Sequence, residues 1–367
     1  MENKLLTVVI PAYNSSSYLG KCLESLLVED VMNDVEIIIV NDGSTDETLK
    51  IAELFRDKYP EYFVVVNKEN GNYGSCMNAA LRIAKGKYFR TLDSDDWFSK
   101  TEYIEFVHDL SLTDADMLMC ERYIYYSAVD KMVKCSFESG VTKRKDLDIE
   151  SVDWTYNSIK NNIFVNSICY KTDLIRKSGL QWTEKVFYSD NEYDYFPSKI
   201  AKTIRFVDIP VYVYWIGREG QSVGPDTLLK NYRSFQLVGT KILEDFLETA
   251  DPKSNIYQYQ KYLLVNHILQ PIYIAFLSGK EPYVTFVNSI DMKVRTNALL
   301  MQEVENVISY SGIHFVRACK KNDKLKIILA KFLFNLNSAT LGFNFIYKFL
   351  SNKKLLRILP CQIFHLS

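Results

Sequence analysis

Between Leu5 and Asp96, four short apolar runs alternate with stretches of helical spacing, and a polar cluster closes each run. The runs are Leu5–Ile10, Val35–Val40, Phe63–Val66 and Tyr88–Leu92. Between them, Tyr18–Leu27, Glu47–Tyr59 and Ser75–Ala84 repeat apolar residues every three or four positions, the spacing of one helix face. A chain written this way predicts a mostly parallel, Rossmann-like sheet with crossover helices on both faces. Such sheets bind ligands beyond the carboxyl ends of their strands. The polar clusters stand at those ends, so their placement is already a functional signal.

Beyond residue 110 the pattern loosens. Met117–Cys120, Tyr123–Tyr126, Ile204–Val207 and Val211–Trp215 predict strands, and Lys143–Glu150 predicts a charged loop or short helix. Helical spacing then dominates over Leu228–Leu247, Ile256–Leu277, Pro282–Val307 and Leu325–Ile358. The turn-forming pair Gly224-Pro225 marks the expected boundary between an α/β domain, 1–225, and a helical C-terminal region, 226–367. With 47% hydrophobic residues the chain can bury a sizeable core.

The clusters carry chemistry of different kinds. Asp93-Ser94-Asp95-Asp96 packs three carboxylates into four residues directly after a strand. Like charges so close raise one another's pKa unless a cation offsets them. Hard oxygen ligands favour Mg²⁺ or Mn²⁺, ions that usually share their coordination with substrate phosphates. An acidic turn capping the next helix is the competing reading. Asp42, on the Asn41-Asp42-Gly43-Ser44 turn, has the chemistry to accept hydrogen bonds from a ribose or base, or to cap the next helix. Asn70-Gly71-Asn72-Tyr73-Gly74 precedes a helix, where glycines let backbone amides approach an anion. No Gly-Lys-Ser/Thr follows, and no GxGxxG follows the first strand, which excludes a Walker loop and argues against dinucleotide binding.

In order and spacing, Val9-Ile10-Pro11-Ala12-Tyr13-Asn14, Val40-Asn41-Asp42-Gly43-Ser44-Thr45-Asp46, Asn70-Gly71 to Asn78 and Asp93-Ser94-Asp95-Asp96-Trp97 resemble the family 2 glycosyltransferases of GT-A fold. The resemblance covers roughly residues 4–225. It implies an inverting transferase that moves one sugar from a nucleotide-diphosphate sugar to a hydroxyl of a glycan or lipid-linked oligosaccharide, in bacterial-type polysaccharide or glycoconjugate synthesis. It implies further that Pro11, Ala12 and Tyr13 line the nucleobase pocket and that Asp42 bonds the base or ribose. The glycine-bearing loop, Asn70 and Gly71, would lie against the donor. Asp93 and Asp95 would form the DXD motif that positions the donor and holds Mn²⁺ or Mg²⁺, with Asp96 as a further ligand. Phe187-Tyr188-Ser189-Asp190 resembles the acceptor-side motif, with Ser189 where Glu is common, and implies that Asp190 is the general base. Glu192 stands close enough to be the alternative, and a helix N-cap at Ser189 or Asp190 is the structural one. The Gln-x-x-Arg-Trp motif of processive relatives is missing: none of the four Trp follows an Arg.

Charge narrows the partners. The net charge of −1 argues against a nucleic-acid binder. From Cys319 onward, however, nine basic residues face one acid, Asp323, which makes the tail +8. With the apolar run Phe332–Tyr347 this predicts either peripheral contact with the inner face of the cell membrane or a buried helix with solvated lysines. Seven cysteines without a CxxC pair and four scattered histidines predict neither disulfides nor a zinc site, which fits a cytoplasmic setting. The first apolar run is too short for a signal peptide, and no run reaches the ~20 residues of a membrane span. Two other functions stay open at this point. One is a nucleotidyltransferase making a nucleotide-sugar, against which the lack of a basic Gly-rich loop after the first strand counts. The other is an inactive carbohydrate-binding subunit.

Overall fold

The computed structural model describes residues 4–217 and 229–340. The chain divides into two compact units, Met1–Arg218 with Ser254–Ile256, and Glu219–Lys253 with Tyr257–Ser367. The expected boundary at Gly224-Pro225, and residues 341–347 of the expected apolar run, lie outside the described residues.

The first unit is a mixed α/β sheet. Its N-terminal half contains β1 (Leu6–Ala12), α1 (Ser16–Leu26), β2 (Val35–Asp42), α2 (Thr48–Lys58), β3 (Phe63–Lys68), α3 (Asn72–Ile83) and β4 (Tyr88–Thr91). These four strands are parallel in the order β3-β2-β1-β4. Every residue of β2 is buried, as a strand covered on both faces requires. Leu6, Val8 and Ile10 of β1 join Leu19, Leu23 and Leu26 of α1 and Ala52 of α2 in one core.

Beyond β4 the sheet turns mixed, through β5 (Trp97–Phe98), α4 (Lys100–Ser111), β6 (Met117–Tyr126), β7 (Lys131–Cys135), β8 (Asp146–Asp148), α5 (Asn157–Lys160), β9 (Ile168–Lys171), α6 (Thr172–Lys177), α7 (Asp190–Tyr195) and β10 (Thr203–Ile216). Strand β9 sits antiparallel between β4 and β6, while β6 and β10 run parallel. The two strands expected on either side of Glu121-Arg122 are one, because Glu121 and Arg122 are buried and continue the ladder. Likewise β10 is one long strand with a register shift between Val207 and Tyr212. Pro210 lies in that shift, where a residue without an N–H costs the ladder nothing. The shift seats Tyr212 and Val213 against β5, which follows the acidic cluster.

The second unit is helical. Tyr232–Thr249, Ile256–Leu263, Gln270–Ala275, Tyr283–Val294, Ala298–Val307, Phe315–Lys320 and Lys324–Thr340 are α-helices, with a π-helical turn at Leu264–Leu269. The expected helix Pro282–Val307 is broken because the Asn297 side chain accepts the Leu300 N–H at 3.0 Å and caps a new helix. Val238, Ile242, Leu243, Leu264, Ile268, Val294, Leu300 and Val304 are fully buried. Among the described residues no helix is long and apolar enough to cross a membrane.

Candidate active site

The loops after β1 and β2 are stapled together. Asn14, in the left-handed region at φ 47°, donates its N–H to Ser44 Oγ at 3.0 Å. Its Oδ1 accepts the Thr45 N–H at 2.8 Å. Asp46 accepts N–H groups from Ser16 at 3.1 Å and Thr48 at 3.0 Å. Burial works to raise the Asp46 pKa, but the bonds from Thr48 and Ser16 outweigh it and hold the carboxyl at about 2. Above this staple Ala12 is buried, Pro11 is half-buried, and Tyr13 is 54% exposed at the rim.

Asp42 is buried at the end of β2 and anchors the third cluster. Its Oδ1 accepts Lys68 Nζ at 2.7 Å and the Gly71 N–H at 2.9 Å. Asn70 Nδ2 donates to the Asp42 carbonyl at 3.0 Å. Gly43, at φ +71°, lies under Asn70, where a Cβ would come within 2.8 Å of the Asn70 nitrogen. The nearby glycine-bearing cluster is partly helical, since α3 begins at Asn72 rather than Ser75. Lys68 carries no signal in the sequence, yet it is the cation that neutralises Asp42.

The acidic cluster separates into two roles. Asp93 and Asp95 are half-buried at the end of β4. Asp96 is buried, and both its oxygens are taken: Tyr212 Oη donates at 2.6 Å and the Trp215 N–H at 2.8 Å. Burial first, and then the charges of Asp95 and Asp93, lift its pKa well above the usual carboxylate range. Tyr212 also accepts the Asp93 N–H at 3.2 Å, so one phenol holds both ends of the turn. The expectation of Asp96 as a metal ligand therefore meets a carboxylate committed to β10. Among the described residues no three His, Cys, Asp or Glu side chains form a closed metal cage. Two carboxylates at a strand end do match the open donor set of Mg²⁺ or Mn²⁺, which draws its other ligands from water and substrate phosphates.

Asp190 is the first residue of α7. The turn before it is strained, with Lys185 at φ 60° and Tyr188 at φ 65°. Ser189 makes no side-chain cap bond to the helix. Burial pushes the Asp190 carboxyl up to about 6, with backbone N–H bonds opposing and the Glu192 charge adding to it. Glu192 is buried, and its oxygens accept the Thr183 N–H and hydroxyl, each at 2.7 Å. The buried Tyr73 hydroxyl feels the charge of both the acidic cluster and Asp190. Burial first, then Asp93, with Asp190 and Asp194 contributing further, raise its pKa well above the ordinary value. Asp93 and Asp190 thus act on one phenol.

A family model, Glycosyl transferase family 2, matches residues 7–175. An uncharacterized glycosyltransferase of Mycoplasma pneumoniae, the MG025 homolog, is 30% identical over 229 residues, 59% of this chain and 70% of that protein. The chain belongs to glycosyltransferase family 2. A second relative, the uncharacterized glycosyltransferase EpsJ of Bacillus subtilis, is 25% identical over 57% of this chain and 60% of its own length. The crystal structure of S. aureus TarS 1-349 in complex with UDP-GlcNAc superposes with a TM-score of 0.57 at 19% identity, covering 91% of this chain and 92% of that one. That likeness shows the fold: GT-A, with a helical C-terminal region.

Proposed function

We propose that this family 2 glycosyltransferase moves a single sugar from a nucleoside-diphosphate sugar to an acceptor hydroxyl with inversion, using Mn²⁺ or Mg²⁺, in polysaccharide or glycoconjugate synthesis. The observation that carries the reading is the pair Asp93 and Asp95, half-buried just after β4, together with Asp190 at the start of α7, all on a family 2 GT-A fold. Direct displacement needs a donor-side acid for the cation and an acceptor-side acid for the proton. The UDP-GlcNAc bound to the fold neighbour supports a nucleotide-sugar donor.

In this reading residues 1–225 are the catalytic domain and 226–367 an accessory helical region. Pro11, Ala12, Tyr13 and Asp42 take the nucleoside, and Asn70 and Gly71 lie against the donor. Asp93 and Asp95 hold the cation, which when bound offsets the charge developing on the leaving diphosphate. Asp96 holds Tyr212 and Trp215 in place rather than binding metal. The Asp190 carboxylate takes the proton from the acceptor hydroxyl as its oxygen attacks the anomeric carbon on the face opposite the diphosphate. A carboxyl near pKa 6 accepts that proton more readily than an ordinary aspartate while still being ionised at pH 7. Glu192, with both oxygens on Thr183, orients the segment instead. The acceptor is a glycan or lipid-linked oligosaccharide, met through peripheral contact of the basic tail with the inner membrane face.

The test is product analysis with a panel of nucleotide-sugars and Mn²⁺. Release of nucleoside diphosphate supports the proposal. Pyrophosphate would point to a nucleotidyltransferase, and no product from any donor would leave a carbohydrate-binding subunit.

A further inference from the structure

The helix Lys324–Thr340 is apolar on two opposite sides. Ala330 and Phe334 are buried, and the Phe334 ring meets Tyr310 edge-on at 5.6 Å. This is the side that packs on the helical unit. Leu325, Ile328, Leu329 and Phe332 are 76%, 63%, 46% and 59% exposed. Their spacing of three, one and three places them on one stripe, roughly opposite Ala330 and Phe334 at about 100° per residue. Four large apolar side chains left open on one stripe are not ordinary surface.

Charge flanks the stripe on both sides. Taking Leu325 as the origin, Lys326 lies about 100° to one side, and Lys324 and Lys331 about 100–120° to the other. Lys326 is 3.3 Å from Asp323, the only acid after Cys319, and Lys331 Nζ stands 5.2 Å from the Phe276 ring. In sequence, residues 341–367 add Lys348, Lys353, Lys354 and Arg357 and no acid. An apolar stripe between lysine flanks fits an interface whose interior is apolar and whose surface is anionic. Lysines there reach sideways to headgroups while the stripe sinks about 5–10 Å. A buried partner helix would leave those lysines against protein instead.

We propose that the outward face Leu325-Ile328-Leu329-Phe332 lies in the headgroup region of an anionic phospholipid bilayer. The proposal deepens the membrane contact in the functional reading and is independent of the chemistry assigned to Asp93, Asp95 and Asp190.

The experiment is flotation of the full chain with vesicles of phosphatidylcholine, alone or mixed with phosphatidylglycerol. The full chain is expected to float with the mixed vesicles, not with phosphatidylcholine alone, and less at high salt. The double variant Ile328→Ser/Phe332→Ser should partition at least about a hundredfold more weakly, since two large side chains lose their burial. Its circular dichroism melt should match that of the unmodified chain. Lys324→Glu/Lys331→Glu keeps the stripe and should lose the preference for anionic lipid. Equal flotation of the serine variant, or no flotation of the full chain, overturns the proposal. So does a dimer of the full chain that the serine variant converts to monomer, because a second copy then covers the face. Nucleoside diphosphate release with a water-soluble acceptor, measured on the same preparations, reports the chemistry separately. It should be unchanged in both variants.

Discussion

Replacing Asp190 by Asn should abolish transfer and, at neutral pH, make the protein more stable. The carboxyl is pushed from 3.8 to about 6, chiefly by burial. In the unfolded chain it titrates near 3.9. Below about pH 4 both states are protonated and the group does not oppose folding. Between about pH 4 and 6 the folded state keeps a proton that the unfolded state has lost, so stability falls as pH rises across that window and levels off above about 6. Two units at ~1.4 kcal/mol each set a ceiling of about 3 kcal/mol at pH 7.5, and because Asp190 is only half-buried, solvent screening brings the effect below it. Asn keeps the shape and the neutral form, so Asp190→Asn should recover part of that amount. For a chain of this size the gain is roughly 2–4 °C in Tm per kcal/mol. Differential scanning fluorimetry at pH 7.5 and pH 4.5 should show a gain at the first pH that shrinks at the second. Transfer should drop by at least about a hundredfold while donor binding persists, because a general base touches the acceptor. In the unmodified enzyme kcat/KM should fall about tenfold per pH unit below 6. An Asn variant less stable at pH 7.5, or an acid limb near pH 4, would refute the reasoning.

Excess EDTA should stop turnover and Mn²⁺ restore it, and Asp95→Asn should cost at least about a hundredfold in kcat, measured as nucleoside diphosphate release. Tyr212→Phe removes the 2.6 Å donor from Asp96 and should cost about 1–3 kcal/mol in urea unfolding, with the metal concentration for half-maximal activity unchanged if Asp96 is no ligand. Lys68→Met strips the cation from buried Asp42 and should cost about 3–5 kcal/mol and weaken donor binding, read by titration calorimetry. Gly74→Ala puts a Cβ 2.3 Å from the Thr183 carbonyl and should destabilise by about 1–3 kcal/mol in the same unfolding assay.

The N-terminal half was legible because its inner strands are buried and read as mostly apolar runs. Every residue of β2 is buried, and Ile37–Val40 at its centre is apolar throughout. Later strands hide charge. Arg122 is buried in β6 and donates to Asn162 at 3.2 Å and Ser167 at 2.9 Å, partners some forty residues away that pattern reading does not supply. The same limit governs the site. Asp93, Asp95 and Asp96 are neighbours in sequence and alike in chemistry, but Tyr212 and Trp215 decide that Asp96 turns inward. The resemblance put the base at Asp190 with Glu192 as the alternative, and no pattern in the sequence shows that both Glu192 oxygens accept from Thr183. In the tail, spacing showed an apolar helix but not which side would be covered, a question answered only by what Ala330 and Phe334 pack against.

Helix α3 joins the loop of Asp42 to the segment that leads to Asp190, the donor and acceptor sides in the proposed reading, and the backbone of one residue, Gly71, shows how. The Gly71 N–H donates to Asp42 at 2.9 Å, and the Gly71 carbonyl accepts the Lys185 N–H at 2.7 Å. One turn on, Gly74 is pressed against Thr183, which in turn holds Glu192. Further along, Asn78 binds the Trp182 N–H and carbonyl, both at 3.0 Å, and donates to Glu184 at 2.9 Å. The segment leading to Asp190 is thus tied to α3 in at least three places, and α3 is tied to Asp42. In a displacement reaction the attacking oxygen and the leaving group must be aligned to within fractions of an ångström, and misplacement by 1 Å costs about a hundredfold. Loops from distant parts of the chain do not hold such alignment by themselves. A helix that begins beside Asp42 and docks its first two turns on the segment 182–185 does, because moving either side requires breaking hydrogen bonds on the other. That coupling explains the fit of Gly at 74, where backbone meets backbone, and of Asn at 78, whose short amide both donates to and accepts from the Trp182 backbone.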